Sequence, residues 1–397
     1  AMSYYYGKET NSYARGRKTD VNGTPYHRGG YLRRIEYGLR AESLWTVAPA
    51  ARVTFGVAER CDAAVNATAC AAENLTDATK AAWWDVPFDR ICAPGVKCKS
   101  DQVSPTFFTR KKLATVVTEI RTGATSFAPV DRWTLDHVFP DNGDGSRGLW
   151  LHTIQQDGVH GTGDPLPSPK VRLDVKQLPN RILKPNDMLG KMVRPRLGVI
   201  HNDTGGQIDI EYAQPDCTST TGLNDDGRST GRRCFAIRWH GAGSEEPVTD
   251  WFHKYVVRAV RETDTTDVEP GTQLPPDMVT TYDYEGEAGW RYPDPDGMTE
   301  AKYKAWSEWQ GYRTVRVSKG DDQTVRTRTE HTYLQGLHGD KDPAGGTRTV
   351  TAGDSTGTSY TDHKEFVGFE IETKILDGTN DRVISKSTTS PLRVQTG

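Results

Sequence analysis

Histidines and carboxylates that could share a proton or a metal gather in the last part of the 397-residue chain: His331, His338, Asp340, Asp342, Asp354 and His363. An imidazole held beside a carboxylate is the usual acid–base pair of a hydrolase, and a mixed N/O set suits a transition metal. Sequence spacing does not bring these groups together, and Gly339, Pro343, Gly345 and Gly346 between them describe a surface loop. A hydrolase site around residues 331–363, with His331, His338 and Asp340 at its centre, therefore stands as an alternative to a plain loop. His253, next to Trp251 and Phe252, reads as a packed, hydrogen-bonded histidine. Asp141, Asn142 and Asp144 suggest a calcium loop, but Gly143 and Gly145 break the alternation of oxygen ligands and the terminal Glu is missing, so a hairpin turn is expected.

The common catalytic signatures are absent: no G-x-S-x-G elbow, no phosphate-binding loop, no H-E-x-x-H helix and no dinucleotide fingerprint. The expectation is a non-catalytic chain without a cofactor. Trp83, Trp84, Trp290, Trp306 and Trp309 offer flat faces of the kind that stack on pyranose rings. A carbohydrate- or cell-surface-binding module using Trp83 or Trp306 is thus a second alternative, although tryptophans in a β-protein are expected as core anchors.

Six cysteines fall in three close pairs: Cys61 with Cys70, Cys92 with Cys98, and Cys217 with Cys234. None has the spacing of a zinc ribbon or a redox motif. Three local disulfides and an oxidising, extracellular compartment are expected, with buried free thiols as the plain alternative and crossed pairing as the main rival.

Lys and Arg number 50 against 53 Asp and Glu, with both signs interspersed, so a nucleic-acid groove is not expected. No apolar run approaches the roughly 18–20 residues that cross a bilayer. Ala1–Tyr6 has neither the basic nor the apolar region of a leader, and Ala1-Met2 resembles a cloning remnant, so an excised fragment is expected.

Hydrophobic residues make up 35% of a chain with 39 Gly and 22 Pro, a composition of short strands and turns. Val53, Phe55 and Val57 alternate with Arg52 and Thr54; Val171, Leu173 and Val175 with Arg172, Asp174 and Lys176; Ile208, Ile210 and Tyr212 with Asp209 and Glu211. This period of two predicts antiparallel sheets with one dry and one wet face. Turn residues at 140–145 and 202–206 predict hairpins, Pro165–Pro169 an extended link, and Pro270-Gly271 with Pro275-Pro276 a loop. Helical signals are confined to Ala71–Trp84, Met298–Trp309 and one turn at Asp250–Lys254. The expected fold is mainly β, an antiparallel hairpin assembly with a few short helices. Its portions are a disulfide-bearing 1–129, a hairpin-rich 130–265, and 266–397 with a short helix near 298–309.

No clean repeat of 20–50 residues is present, but a strand ending in Tyr recurs at Leu32–Tyr37, Gln207–Tyr212, Val279–Tyr284 and Arg328–Tyr333. Thr281-Tyr282-Asp283-Tyr284 looks like the YD signature, and Gly205–Tyr212 like a degenerate copy. On these residues the chain resembles RHS/YD-repeat proteins. More particularly it resembles the region upstream of the YD repeats in large secreted actinobacterial RHS proteins. The strings that carry this are Glu9–Tyr13, Ser104–Arg110, Asp250–Tyr255 and Gly336–Lys341. Arg132–Ile154 and Trp309–Val315 are similar to the middle of the cocoon-forming subunit of insecticidal toxin complexes. The resemblance implies a segment of a β-shell around a C-terminal cargo, with the rest of the parent chain as its partner. A dense run of YD repeats is missing, and Asp294–Gly297 reads as a turn, not as the self-cleaving core, so neither self-cleavage nor toxicity is expected of this segment.

Overall fold

An extended backbone satisfies its N–H and C=O groups by pairing with neighbouring strands, and 46% of this chain is strand. The computed structural model describes residues 1–161, 163–185, 187, 189–241, 244–266, 275–321 and 323–394. Pro270 and Gly271, expected in a loop, lie outside the described residues. The chain divides into two compact units, Ala1–Asp174 with His201–Thr204, and Val175–Ile200 with Gly205–Gly397.

The first unit holds β1 (Ser3–Tyr13), β2 (Thr24–Tyr37), β3 (Ala51–Glu59), β4 (Lys111–Arg121), β5 (Phe127–Val138), β6 (Trp150–Gly158) and β7 (Leu166–Pro167). Residues of β8 (Val171–Pro179) and β9 (Val193–His201) belong to both units. The second unit continues with β10 (Gly206–Tyr212), β11 (Cys234–Trp239), β12 (Val248–His253), β13 (Val257–Asp264), β14 (Met278–Glu285), β15 (Gly289–Arg291) and β16 (Glu308–Gly311). It ends with β17 (Thr314–Gly320), β18 (Val325–Tyr333), β19 (Thr351–Gly353), β20 (Ser359–Thr361), β21 (Glu370–Asp377) and β22 (Val383–Thr388).

Sixteen strands form one open sheet in the order β1-β2-β3-β4-β5-β6-β8-β9-β10-β13-β14-β17-β18-β21-β22, with β7 on β6. The expected mainly β, antiparallel class is correct. The expected hairpin at 140–145 joins β5 to β6, paired from Asp131↔Gly158 to Val138↔Trp150. All four Tyr-ending stretches lie on strands of this sheet: β2, β10, β14 and β18.

Three small hairpins, β11-β12, β15-β16 and β19-β20, interrupt the path between β10 and β13, β14 and β17, and β18 and β21. In the second unit the chain therefore leaves the sheet three times at corresponding places.

The helical expectations are corrected. Ala71–Trp84 forms only isolated 3-10 turns, Ala72–Asn74 and Lys80–Ala82, because side chains close each turn locally: Thr79 Oγ1 accepts from Thr76 N at 3.1 Å. The short helix near 298–309 is one 3-10 turn, Ala301–Tyr303, followed by β16. Asp250–His253 is strand β12, whose Trp251 pairs with Ala236, and not a helical turn.

The dry face is corrected as well. Val53, Phe55 and Val57 are half-buried, but so are Arg52 and Thr54. Long polar side chains lie over apolar neighbours and shield both faces alike: the Arg52 guanidinium sits 4.0 Å from the Phe127 ring centre while bonding Glu119 at 2.8 Å. The fully buried clusters lie mostly between the sheet strands. One joins Cys61, Ala69, Ala82, Trp83 and Val86; another joins Ile182, Cys217, Cys234, Ala236, Trp251 and Ala305.

Candidate functional site

The residues with acid–base potential are placed by β18, the segment 334–369 and β21. His331, on β18, directs Nδ1 to Glu370 Oε1 at 2.6 Å and stacks on Tyr333. His338 and His363 meet edge to face with ring centres 5.2 Å apart, and His338 Nδ1 accepts from Val350 N at 3.3 Å. Asp340 is buried and accepts from Tyr292 N at 3.2 Å, with Arg348 at 3.9 Å. Burial pushes its carboxyl above the usual range against those contacts. Asp342 closes a turn through Ala344 N, and Asp354 closes another through Thr356 and Thr358. The Thr356 hydroxyl, with Tyr360 and the turn amides, holds the Asp354 carboxyl down to about 2.

His338 and His363 are thus brought together, whereas His331 and Asp340 take separate partners. Among the described residues no group of three or more His, Cys, Asp or Glu side chains is placed to hold a metal ion. Asp141 and Asp144 are spent on their own turn, accepting from Gly143 N and Ser146 N. His253 is half-buried on β12, and burial together with Arg196 lowers its pKa.

A cavity of about 700 Å³ opens beside this segment, with Glu287, Gln335, Arg313 and Arg348 among its walls. Its arginines are already engaged: Arg313 bonds Asp362 at 2.8 Å and Arg348 bonds the Trp290 carbonyl at 3.1 Å. Asp362 is fully buried and also accepts from Gln335 N and Gly336 N, so it fixes the chain where β18 ends.

The tryptophans form packed links between the segments that leave the sheet. Trp290 is 1% exposed, stacks on Phe235 at 5.0 Å, meets Trp309 at 4.9 Å, and donates Nε1–H to Arg232 O at 2.8 Å. Trp306 donates to Lys341 O at 3.0 Å and meets Tyr292 edge-on. Trp83 is equally buried, against Phe88, and Trp84 at the surface bonds Asp62 beneath the Arg147 guanidinium. The faces a sugar would use on Trp83, Trp290 and Trp306 are covered by protein.

The cysteines form the bonds Cys61–Cys70, Cys92–Cys98 and Cys217–Cys234. Two of these fix the long segment between β3 and β4, and the third fixes the segment ahead of β11.

Sequence reasoning missed one polar centre. Glu9 on β1 accepts from Arg110 N at 3.1 Å and Thr109 Oγ1 at 3.3 Å, and lies 3.5 Å from the buried Arg28 of β2. Arg28 bonds Phe108 O at 3.0 Å and covers the Phe108 ring at 4.4 Å. Asn11 accepts from Cys92 N and donates to Arg90 O. Glu9–Tyr13 and Ser104–Arg110, two of the distinctive strings, are thus one structure. Their unusual residue choice was the available signal.

No protein family matches the chain, and no curated protein matches it. Among solved structures it is similar to the crystal structure of TcdB2-TccC3, with a TM-score of 0.39 and 9% sequence identity over 96% of this chain. The chain spans 33% of that protein. No helix among the described residues is long and apolar enough to cross a membrane.

Proposed function

We propose that this chain is a non-catalytic wall segment of a larger secreted RHS/YD-repeat protein, part of a β-shell that encloses or presents a C-terminal cargo. The observation that carries this reading is the strand order. Apart from the two-residue β7, which sits on β6 beside the path, each strand of the main sheet bonds to the next main-sheet strand in the chain, so the sheet grows one hairpin at a time and needs no closure within the segment. β1 and β22 lie at its two ends; the outer edge of β1 is engaged where Ser12 N donates to Cys92 O, and β22 pairs only with β21 among the described strands, leaving its outer edge to template a further strand. All residues of β22 are exposed, including Val383 and Ile384. Further hairpins of the parent chain are the fitting partner for that edge.

The residue-level resemblance to the region upstream of YD repeats supports the same reading. Disulfides persist in oxidising compartments, which supports secretion. Asp340, a candidate hydrolase residue, is buried and held by Tyr292 N, which supports a structural role for that carboxylate.

The test is amide hydrogen exchange on this chain and on a longer chain in which YD repeats follow it. In the longer chain the β22 amides should exchange at least about tenfold more slowly, since a paired edge opens only with its partner. Unchanged β22 exchange, or turnover of a generic ester, glycoside or phosphate substrate by the purified chain, would refute the proposal.

A further inference from the structure

The centre formed by Glu9, Arg28 and Arg110 borders a cavity of about 480 Å³ in the first unit. Arg28 is 8% exposed. Its Nε donates to Thr10 O and its Nη1 to Phe108 O, while Nη2 makes no hydrogen bond to the described residues, on a side chain that lines the cavity. A buried guanidinium with one open N–H group is a donor waiting for an anion.

The surroundings are cationic. Lys8, Arg28, Arg110 and Lys111 line the cavity against one carboxylate, Glu9. Glu59, just outside the lining, pairs with Arg110 at 2.9 Å and with Lys111. Four cations thus face two carboxylates, and Glu9 already accepts from a backbone amide and a hydroxyl. Lys8 is exposed and has no ion pair among the described residues. Burial lowers the Arg28 pKa more than Glu9 restores it, which is the direction expected of an under-compensated cation.

The opposite wall is apolar: Leu75, Ile91, Ala93 and Pro94. Leu75 and Ile91 pack on the buried Cys61–Trp83 cluster, and Cys92–Cys98 closes the loop that carries Ala93 and Pro94. The wall is therefore formed in advance, which lowers the ordering cost of binding.

We propose that this cavity binds a small organic carboxylate with an apolar body, its anionic end on Arg28 Nη2 and Lys8 and its body against Leu75 and Ile91. The volume suits such a molecule, being within the roughly 300–1,000 Å³ of ordinary ligand sites. The proposal does not depend on the shell reading.

Isothermal titration calorimetry at low salt tests it with three probes: octanoate, butyrate and inorganic phosphate. Octanoate should saturate one site, with butyrate about tenfold weaker or worse for want of apolar contact and phosphate weaker still. Lys8→Glu, at an exposed position, should weaken octanoate about tenfold with an unchanged circular dichroism spectrum, and Arg28→Gln should abolish binding. No saturable octanoate binding overturns the proposal. So does phosphate binding as tightly as octanoate, or Lys8→Glu leaving the affinity unchanged.

Discussion

Replacing Trp290 with alanine tests whether the tryptophans hold the second unit together or wait for a ligand. Its ring packs between Phe235 and Trp309, and its Nε1–H satisfies the Arg232 carbonyl. Truncating a buried tryptophan costs about 3–5 kcal/mol through lost transfer energy and the cavity left behind. The unpaired Arg232 carbonyl adds about 1 kcal/mol, because part of that group can turn to water. For a unit of this size about 2–4 °C of melting temperature accompanies each kcal/mol, so the second unit's transition should fall by roughly 10–20 °C. Trp45, 78% exposed, is the control, and Trp45→Ala should shift melting by no more than about 2 °C. Far-UV circular dichroism melts of both variants at one protein concentration provide the assay. A Trp290→Ala loss no greater than the Trp45→Ala loss would refute the reasoning, since the ring would then be a surface group despite its contacts.

The Cys217–Cys234 bond closes a loop across 17 residues, so the double serine variant should lose about 3 kcal/mol, read as a lower denaturant midpoint. Burial alone would raise the Asp250 pKa, but bonds from Arg181, Lys184 and Trp239 outweigh it and hold the carboxyl low. Its contribution is therefore present above the ordinary carboxylate pKa and lost as pH falls through the lowered folded value; Asp250→Asn should cost about 3–5 kcal/mol at neutral pH and flatten the acid limb of the stability curve. Burial and Arg196 depress the His253 pKa, so the unfolded chain takes up the proton first and stability falls as pH drops below about 6.5. His253→Gln should make melting less dependent on pH between about 7 and 5, and an unchanged slope would count against a buried neutral imidazole.

The strands were legible because their signal is local. Ile208, Ile210 and Tyr212 alternate with acids, and the turn 202–205 ahead of them contains Asn202, whose side chain accepts from Thr204 N. The covering of each face was not legible, since alternation says which residues share a face and not whether another layer lies over it. Val53 and Arg52 end equally half-buried because Arg52 reaches across β4 and β5 for Glu119 and Phe127. The helices failed for a related reason. Thr79, whose hydroxyl accepts from Thr76 N and donates to Asn74 O, bonds to nearby backbone and closes its turn after one step. Among the candidate residues, spacing left open whether His331, His338 and Asp340 meet, and the fold gives His338 to His363 and Asp340 to Tyr292 and Arg348. The Glu9–Arg28 pair joins neighbouring strands across a bulged register, which spacing along the chain does not reveal.

The tyrosines that end the sheet strands show why a repeat can be real and still lack a period. Tyr212 donates its hydroxyl hydrogen to Leu197 O on β9, and Tyr284 donates to Val257 O on β13, each reaching back to the preceding strand where the chain departs from the sheet. After each departure comes a small hairpin, and the segments 213–256, 286–313 and 334–369 differ in length, so no fixed spacing survives. Those segments pack on one another through Phe235, Trp290 and the bond from Arg291 to Gly336 O. Stability in this unit is therefore divided: backbone pairing holds the sheet, while the buried aromatic rings hold the departures. A change of insert length leaves the strand register untouched so long as the tyrosine and the first pair of the returning strand remain.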